Sequence, residues 1–564
     1  MEVALSGGHF EKGGLRMTTA ARARRLYRFP GGVHPEGHKS VSTGQPITAM
    51  PLLPLYVVPL RQHIGEPARP VVEIGERVLK GQLIGRPEGY VSVGVHAPTS
   101  GRVLAVEPRP VPHPSGLMDL CVVIEADGED RAVDPTPLEW HGMDPSALRN
   151  RLREMGLAGL GGAVFPSFIK LNPGAKRQIP ILILNGAECE PWITCDDMLM
   201  RERASEILMG AAVMRHMLSA EVVLVGIEEN KPEALASMAE AAAGSDVEVV
   251  AVPTIYPGGG GKQLTYTLTG RVTPSKGLST DVGVQVFNVG TAYSLYRAVY
   301  HGEPLISRVV TVTGHVGSPR NLEVRLGSPI DDVIRAAGGA LEGSTGEVIG
   351  GPMMGFDLHD TSAPVTKAVN CILVKNAHLF PPKPPAMPCI RCGECARACP
   401  VELQPYELYW YAKHRDFGKT QGYSLFDCIE CGCCSYVCPS HIPLVDFYRF
   451  AKSEIWARER EKQAADLARE RHEFRTFRLE REKQEKAERL AKKAAERLES
   501  GAITAEDPEA ARKKALLAAV IERARQAKAA VQPKNVDDLP TDKQREIEAI
   551  EARRAKSAQT SELP

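Results

Sequence analysis

Two copies of one cysteine pattern constrain this chain more than anything else in it. Cys389, Cys392, Cys395 and Cys399 precede Pro400, and Cys428, Cys431, Cys434 and Cys438 precede Pro439. The run C-x2-C-x2-C-x3-C-P is an iron–sulfur spacing. Three thiolates two residues apart wrap one face of a cubane within a single loop. The fourth, directed away ahead of a proline, reaches the neighbouring cluster. Cys389, Cys392, Cys395 and Cys438 are therefore expected to hold one [4Fe–4S] cluster, and Cys428, Cys431, Cys434 and Cys399 the other. Zinc is the competing reading, but zinc sites more often use two CxxC pairs than a triple with a trailing Cys-Pro. A disulfide framework fits poorly, because paired CxxCxxC loops without a secretory signal point to reduced thiols. Of the other five cysteines, Cys121, Cys189, Cys195, Cys371 and Cys433, most are expected to be buried apolar thiols. Cys433 lies inside the second motif, and could replace Cys434 only by breaking the regular spacing.

Charge and hydropathy narrow the class. Lys+Arg and Asp+Glu each total 69, and the formal net charge of zero argues against a dedicated nucleic-acid binder. The best apolar run, residues 50–60, carries three prolines and is too short to span a bilayer. The first 30 residues lack the continuous apolar core of a secretory signal. The expectation is a cytoplasmic protein, or one held at a membrane by something else. A chain of 564 residues should divide into three or four folded units, at roughly 150 residues each.

Residues 1–28 read as unstructured, Gly-rich and then basic at Arg22, Arg24, Arg25 and Arg28, with Met17 a candidate start. From residue 71 to 106, short β-type runs alternate with turn glycines in VEIGERVLKGQLIG and VHAPTSGRVLAV. This resembles a biotinyl/lipoyl-type barrel-sandwich domain. No lysine sits in a Met-Lys-Met-like hairpin, so no covalent lipoyl or biotinyl group is expected, and Lys80 reads as a solvated turn residue. Residues 148–300 turn α/β: strands at 179–184, 221–227 and 247–252, with a helix over 198–218 between the first two. Buried runs alternating with helices imply a parallel sheet, which binds ligands at the C-terminal ends of its strands. From Arg308 the alternation VVTVTGHVGSPRNLEVRLGSPIDDVIRAAGG resembles the soluble-ligand-binding β-grasp module, here with a packing or docking role. A Pro-rich stretch over 380–388 links to the cysteine motifs. Beyond residue 451 the chain is Ala/Glu/Lys/Arg-rich, with no aromatic after Phe477, and reads as a solvated helix or disordered tail.

A second chemical signal is GLAGLGGAVFP over 156–166, with Lys170 four residues on. Positions without side chains let backbone N–H groups approach a phosphate, and a nearby lysine supplies charge. It is not the Rossmann fingerprint, since Val164 occupies the last glycine position, and it lacks the GK[ST] ending of a P-loop. NGAECEP contributes Asn185, Glu188 and Glu190 after a strand, while YPGGGGK over 256–262 and FNVGT over 287–291 complete the unit. Three glycine-containing loops upstream of two clusters suggest a flavin site feeding an electron wire. The alternative for Glu188 and Glu190 is a pair at a helix start, favoured by its dipole.

GLAGLGGAVFPSFIK, NGAECEP, YPGGGGKQLTYTLTGR, FNVGTAYSLYRAV and the two cysteine motifs together resemble the RnfC/RsxC family of the Rnf/Rsx electron-transport complex, over residues 29–455. The α/β part also looks like the FMN- and NADH-binding subunit of respiratory complex I. The resemblance implies a multidomain α/β plus α+β protein. After a disordered N-terminus (1–28), which like the tail lies outside the resemblance and is read from composition, its parts are a barrel-sandwich β domain (29–140), a Rossmann-like α/β FMN/NADH domain (141–303) and an SLBB β-grasp module (304–375). A linker (376–388), a two-[4Fe–4S] ferredoxin-like domain (389–450) and a charged helical or disordered tail (451–564) follow. It further implies a peripheral subunit on the cytoplasmic side of the inner membrane, in an ion-translocating complex. There NADH delivers a hydride to noncovalent FMN, and single electrons pass through the clusters to integral-membrane and other subunits, with ferredoxin or another redox protein a further candidate partner.

Carried over by motif, Gly159, Gly161, Gly162 and Lys170 would cradle FMN or dinucleotide phosphate. Asn185, Asn288 and Thr291 would hydrogen-bond the flavin, while Phe165 and Glu188 would stack on and orient the nicotinamide. Val164 replaces the small residue of GGAGFP, and its isopropyl group would narrow the pocket; Ser167 replaces a threonine and keeps the hydroxyl. Two other readings compete: a non-catalytic electron-wire adaptor without flavin, and a soluble NADH-dependent iron–sulfur oxidoreductase.

Overall fold

The computed structural model describes residues 24–174, 177–382, 384–499 and 508–530, in two units, 1–454 and 455–564. At the centre of the first unit lies a parallel sheet. Its strands are β1 (Ile181–Gly186), β2 (Val222–Glu228), β3 (Val247–Val252) and β4 (Val284–Asn288), ordered β3-β2-β1-β4. The connecting helices are α1 (Cys195–Glu202), α2 (Ala204–Leu218), α3 (Pro232–Ala241), α4 (Gly261–Thr269) and α5 (Val289–His301). Strand alternation sorts the side chains by face. Leu182 and Leu184 of β1 join Ile207, Met214, Met238 and Leu295 on one side, and Ile181 and Ile183 join Leu264 and Leu268 of α4 on the other. Both faces are covered, which is why these strands read as continuous apolar runs.

The helix expected over 198–218 is two helices. Arg203 between them has φ −132° and ψ 30°, outside helical values, so α1 ends and α2 begins there. Residues 24–28, expected to be unstructured, are docked. Arg24 donates to the Leu268 carbonyl and pairs with Glu248, and the Tyr27 amide donates to the Thr267 carbonyl. The reason is local: the last carbonyls of α4 have no intrahelical donor, and this segment supplies one. Residues 1–23 of that N-terminal expectation lie outside the described residues.

A four-stranded antiparallel sheet (Leu55–Pro59, Met118–Ala126, Gly101–Pro110, Arg77–Val78) faces a three-stranded one (Arg69–Pro70, Leu83–Arg86, Val95–His96). Tyr56, Val58, Ile84, Val95, Val122 and Ile124 fill the space between them. Lys80 is not a free turn residue: its ammonium lies 2.9 Å from the Asp130 carboxylate, which Arg325 also holds. A six-stranded mixed sheet built around Ser307–Gly314 and Cys371–Asn376 carries the helix Ile330–Ala336, and takes its edge strand from Thr48–Ala49.

The cysteine region repeats itself in backbone as well as in sequence. Gly393 and Gly432 both have φ +81°, Arg391 and Glu430 have φ +55° and +57°, and Glu402 and His441 have +53° and +52°. Left-handed residues at matched positions curl each loop so that successive amides face one side. Short helices, Glu394–Arg397 and Cys433–Tyr436, follow the two loops, and the helix Leu444–Glu499 begins after the second. In the second unit, the described residues 455–499 and 508–530 are helical, with Phe474 and Phe477 exposed among charged side chains.

Candidate functional site

The loop over 158–166 is closed at its base and open at its tip. The Gly159 amide donates to the Phe165 carbonyl at 2.9 Å, and the Leu160 amide to Thr291 Oγ1 at 3.0 Å. A Cβ on Gly161 would stand 3.1 Å from Asn288 Cβ, whereas one on Gly162, at φ +101°, would meet nothing within 4 Å. The tip therefore exposes backbone to open space beside the N-terminus of α5, an arrangement suited to an anionic group. Val164 is buried in the left-handed region, at φ +43°, and its carbonyl accepts from the Ile64 amide. Ser167 Oγ is buried and lacks a hydrogen-bond partner within the protein. Phe165 is half-buried at the loop's end.

Register brings the two asparagines together: Asn288 of β4 pairs with Asn185 of β1 at the strands' C-terminal ends. Their side chains already have work inside the protein. Asn185 Nδ2 donates to the Gly259 carbonyl and its Oδ1 accepts from the Ala187 amide, tying the 185–190 loop to the second glycine loop. Asn288 Oδ1 caps α5 by accepting from the Gly290 amide, and Nδ2 donates to Asp196. Glu188 takes the alternative, helix-start role. Its two carboxylate oxygens accept from the Asp196 and Asp197 amides, satisfying free donors at the start of α1. Glu190 instead accepts from the amides of Met353 and Met354. Lys170 donates to the Val286 carbonyl and lies 4.3 Å over the Phe287 ring; burial holds its ammonium down at about 8.

Lys39 also belongs to this region, although nothing in GHKSV marks it in the sequence. Its ammonium binds the carbonyls of Glu188, Glu190 and Ile193 at 2.6–2.8 Å and so shapes the NGAECEP loop from behind.

Burial, then the neighbouring Glu188 charge, raises the Asp196 carboxyl to about 7. Asn288, Arg308 and Lys39 act against that shift. The unfolded carboxyl titrates near 3.8, so the folded chain keeps this proton to higher pH, and this group's stability contribution is lost as pH rises from 4 through 7. Asp196→Asn is expected to raise the melting temperature relative to the parent by clearly more at pH 8 than at pH 5, where only the first part of the loss has occurred. The gain at pH 8 is on the order of 2–3 kcal/mol, allowing for partial exposure. An equal difference at both values would refute this origin.

The eight motif cysteines fall into two separate cavities. Cys399, Cys428, Cys431 and Cys434 line one of about 340 Å³, with Ile429, Leu403, Leu408 and Tyr448. Cys389, Cys392, Cys395 and Cys438 line another of about 360 Å³, where Cys392 is exposed. This is the grouping expected from the spacing. Burial pushes the Cys428 and Cys395 thiols up to about 11, so four thiolates around either cavity require a cationic centre to take up their charge. An iron–sulfur cubane fits that donor set. Cys433 also lines the first cavity, with its Sγ 3.9 Å from the Tyr256 carbonyl.

Sequence comparison agrees with the layout. Residues 27–129 match the family described as the RnfC barrel sandwich hybrid domain, 152–297 the Nuo51 FMN-binding domain, 309–357 the SLBB domain and 388–442 the 4Fe-4S dicluster domain. Proteins named as the C component of an ion-translocating oxidoreductase complex are similar over most of the chain. The Citrobacter koseri protein is 43% identical over 485 residues, covering 86% of this chain and 68% of its own. The Salmonella gallinarum protein is 43% identical over 549 residues, covering 96% and 79%. The chain belongs to this RnfC family. Against the Pseudomonas aeruginosa member, 46% identical over 465 residues, the match covers 82% of this chain but 60% of that protein's length. Among solved structures, an NAD+-reducing [NiFe]-hydrogenase aligns with 50% of this chain and 55% of its own, at 21% identity and a TM-score of 0.39. This family member thus combines an FMN-binding-type α/β domain with a 4Fe-4S dicluster domain. Among the described residues no helix is long and apolar enough to cross a membrane.

Proposed function

We propose that this chain accepts electrons from NADH at the α/β domain and passes them singly through two [4Fe–4S] clusters to membrane-embedded subunits of an ion-translocating complex. In this reading it is a peripheral subunit on the cytoplasmic side of the inner membrane, with ferredoxin or another redox protein a further candidate partner. The observation that carries the reading is the contact between the second glycine loop and the first thiol cavity: Tyr256 Oη donates to the Cys431 carbonyl at 2.6 Å. A dinucleotide-type loop resting on a thiol cavity is what a donor-to-wire junction requires.

FMN, when bound, supplies the exchange between a two-electron hydride and single electrons. The chain's residues do the rest. Gly159, Gly161 and Gly162 leave backbone open to the ligand's phosphate, and Thr291 holds that loop against the start of α5, which Asn288 caps. Asn185 keeps the 185–190 loop in register with the second glycine loop, and Glu188 fixes the start of α1. Phe165 stands at the exit of the loop as the stacking candidate, and Lys170, on the Val286 carbonyl, is the nearby cation for the phosphate. Cys428, Cys431, Cys434 and Cys399 would hold the inner cluster, and Cys389, Cys392, Cys395 and Cys438 the outer one. The exposure of Cys392 makes the outer pocket the natural point of exit.

Anaerobically purified protein is expected to carry about one FMN and about eight irons per chain, the content of two four-iron cubanes. NADH should bleach both the flavin and the clusters. Eight irons without flavin and without a response to NADH would leave the electron-wire adaptor; membrane-independent turnover with a soluble acceptor would favour the soluble oxidoreductase.

A further inference from the structure

Tyr256 is 3% exposed and stands at the head of the 256–262 loop, ahead of α4. Its main chain is held on both sides by Val33: the Tyr256 amide donates to the Val33 carbonyl at 3.0 Å and the Val33 amide to the Tyr256 carbonyl at 2.8 Å. A backbone pinned this way leaves the ring little freedom. The ring packs with Val33, Ala398, Cys431 and Cys433, and its hydroxyl reaches the Cys431 carbonyl. The same stretch is braced from the other glutamate loop. Glu190 accepts from the Met353 amide, and the Met353 carbonyl lies where a Cβ on Gly432 would meet it at 2.8 Å. The second glycine loop thus touches Cys431 directly, and the glutamate loop braces the next residue, Gly432, through Met353. Neither thiol cavity takes a lining side chain from the α/β domain; Tyr256 meets the first one from behind, through the backbone of its Cys431 ligand loop.

We propose that Tyr256 is a positioning residue that sets the reduction potential of the cluster held by Cys399, Cys428, Cys431 and Cys434, through its hydrogen bond to the Cys431 carbonyl. The inference rests on the reading that this cavity holds a [4Fe–4S] cluster. The physical basis is electrostatic. Reduction adds one electron to the cluster, with no bond made or broken. A buried O–H dipole whose positive end faces the cluster's ligand loop stabilises the more negative state. In a low-dielectric pocket that effect is not screened by water. Tyr256 therefore holds the inner cluster's potential up, making it a better acceptor from the α/β site.

The test is an EPR-monitored titration with dithionite on the anaerobic full chain, which needs neither NADH nor flavin. Cys392→Ala identifies the outer cluster by the signal it removes. In Tyr256→Phe the inner cluster's reduction constant is expected to fall by about threefold to tenfold, or about 28–59 mV for one electron, with iron content and the outer signal unchanged. No shift in the inner signal, or equal shifts in both, overturns the proposal. Should Tyr256→Phe lose iron, 3,5-difluorotyrosine placed at 256 keeps the ring and strengthens the donor. It must then raise the inner potential, and an unchanged or lower value overturns the proposal. A parent chain without iron or cluster signals would instead defeat the cluster reading itself.

Discussion

Replacing Cys431 with alanine is expected to halve the iron bound by the chain, from about eight to about four atoms, while leaving FMN content intact. Cys431 is one of four motif thiols on the inner cavity, and the other cavity has its own four. A cubane left with three thiolates and an apolar methyl at the fourth corner loses the ligand that both fixes and charge-balances it. The surrounding Ile429, Leu403 and Leu408 side chains offer no replacement ligand, and the Tyr448 hydroxyl is already donating to the Pro405 carbonyl. Electron delivery from NADH to an acceptor at the outer cluster should fall at least about a hundredfold, because the inner site is the one that Tyr256 joins to the α/β domain. Reduction of the flavin itself should persist. Iron analysis and the EPR signal of the inner cluster check this directly. Retention of all the iron would mean that Cys433, buried in the same cavity, has taken over the vacant corner. The double variant Cys431→Ala/Cys433→Ala would then be the one to lose it.

Gly161→Val is expected to abolish flavin retention, with at least a tenfold fall in FMN per chain and loss of NADH-driven bleaching, at unchanged iron. The Cβ alone would sit 3.1 Å from Asn288 Cβ, and two further methyl groups either crowd that side chain or fill the open face of the loop that the phosphate would approach. Asn288 cannot yield without consequence, since it caps α5 and holds Asp196. The neighbouring Leu160 amide would be pulled off Thr291, opening the loop at its base. Gly142→Ala, at a position where a Cβ meets nothing within 4 Å, serves as the control and should bind FMN normally. FMN retained at the parental level in Gly161→Val would remove this loop from the flavin site.

Much of the molecule is legible in its residue order. Loop reach brings the three consecutive thiols of each motif to one centre, and the Cys-Pro spacing sends the fourth to the neighbouring one, so the grouping of the eight cysteines is readable from their order. The parallel sheet follows from runs such as ILIL and VVLVGI, apolar on both strand faces. The side chains around the nucleotide-type loops are harder to read. Glu188 looks like a ligand-facing carboxylate in NGAECEP, yet it caps α1; Asn185 and Thr291 look like flavin contacts, yet they tie loops together. A sequence motif records that a polar group is needed at a position without saying which neighbour it serves.

Two residues show where the division falls. Lys39 lies in a stretch with no periodicity, and its three carbonyl partners are 149 to 154 residues away. Tyr256 and Cys431 are 175 residues apart, and their hydrogen bond exists only because the strand order carries the 256–262 loop over the ferredoxin-like region. Local spacing decided what this chain can bind, since cluster ligation and backbone approach depend on a few consecutive residues. Tertiary packing decided which site adjoins which, because electron transfer and electrostatic tuning depend on distance through space, and distance along the chain says nothing about that.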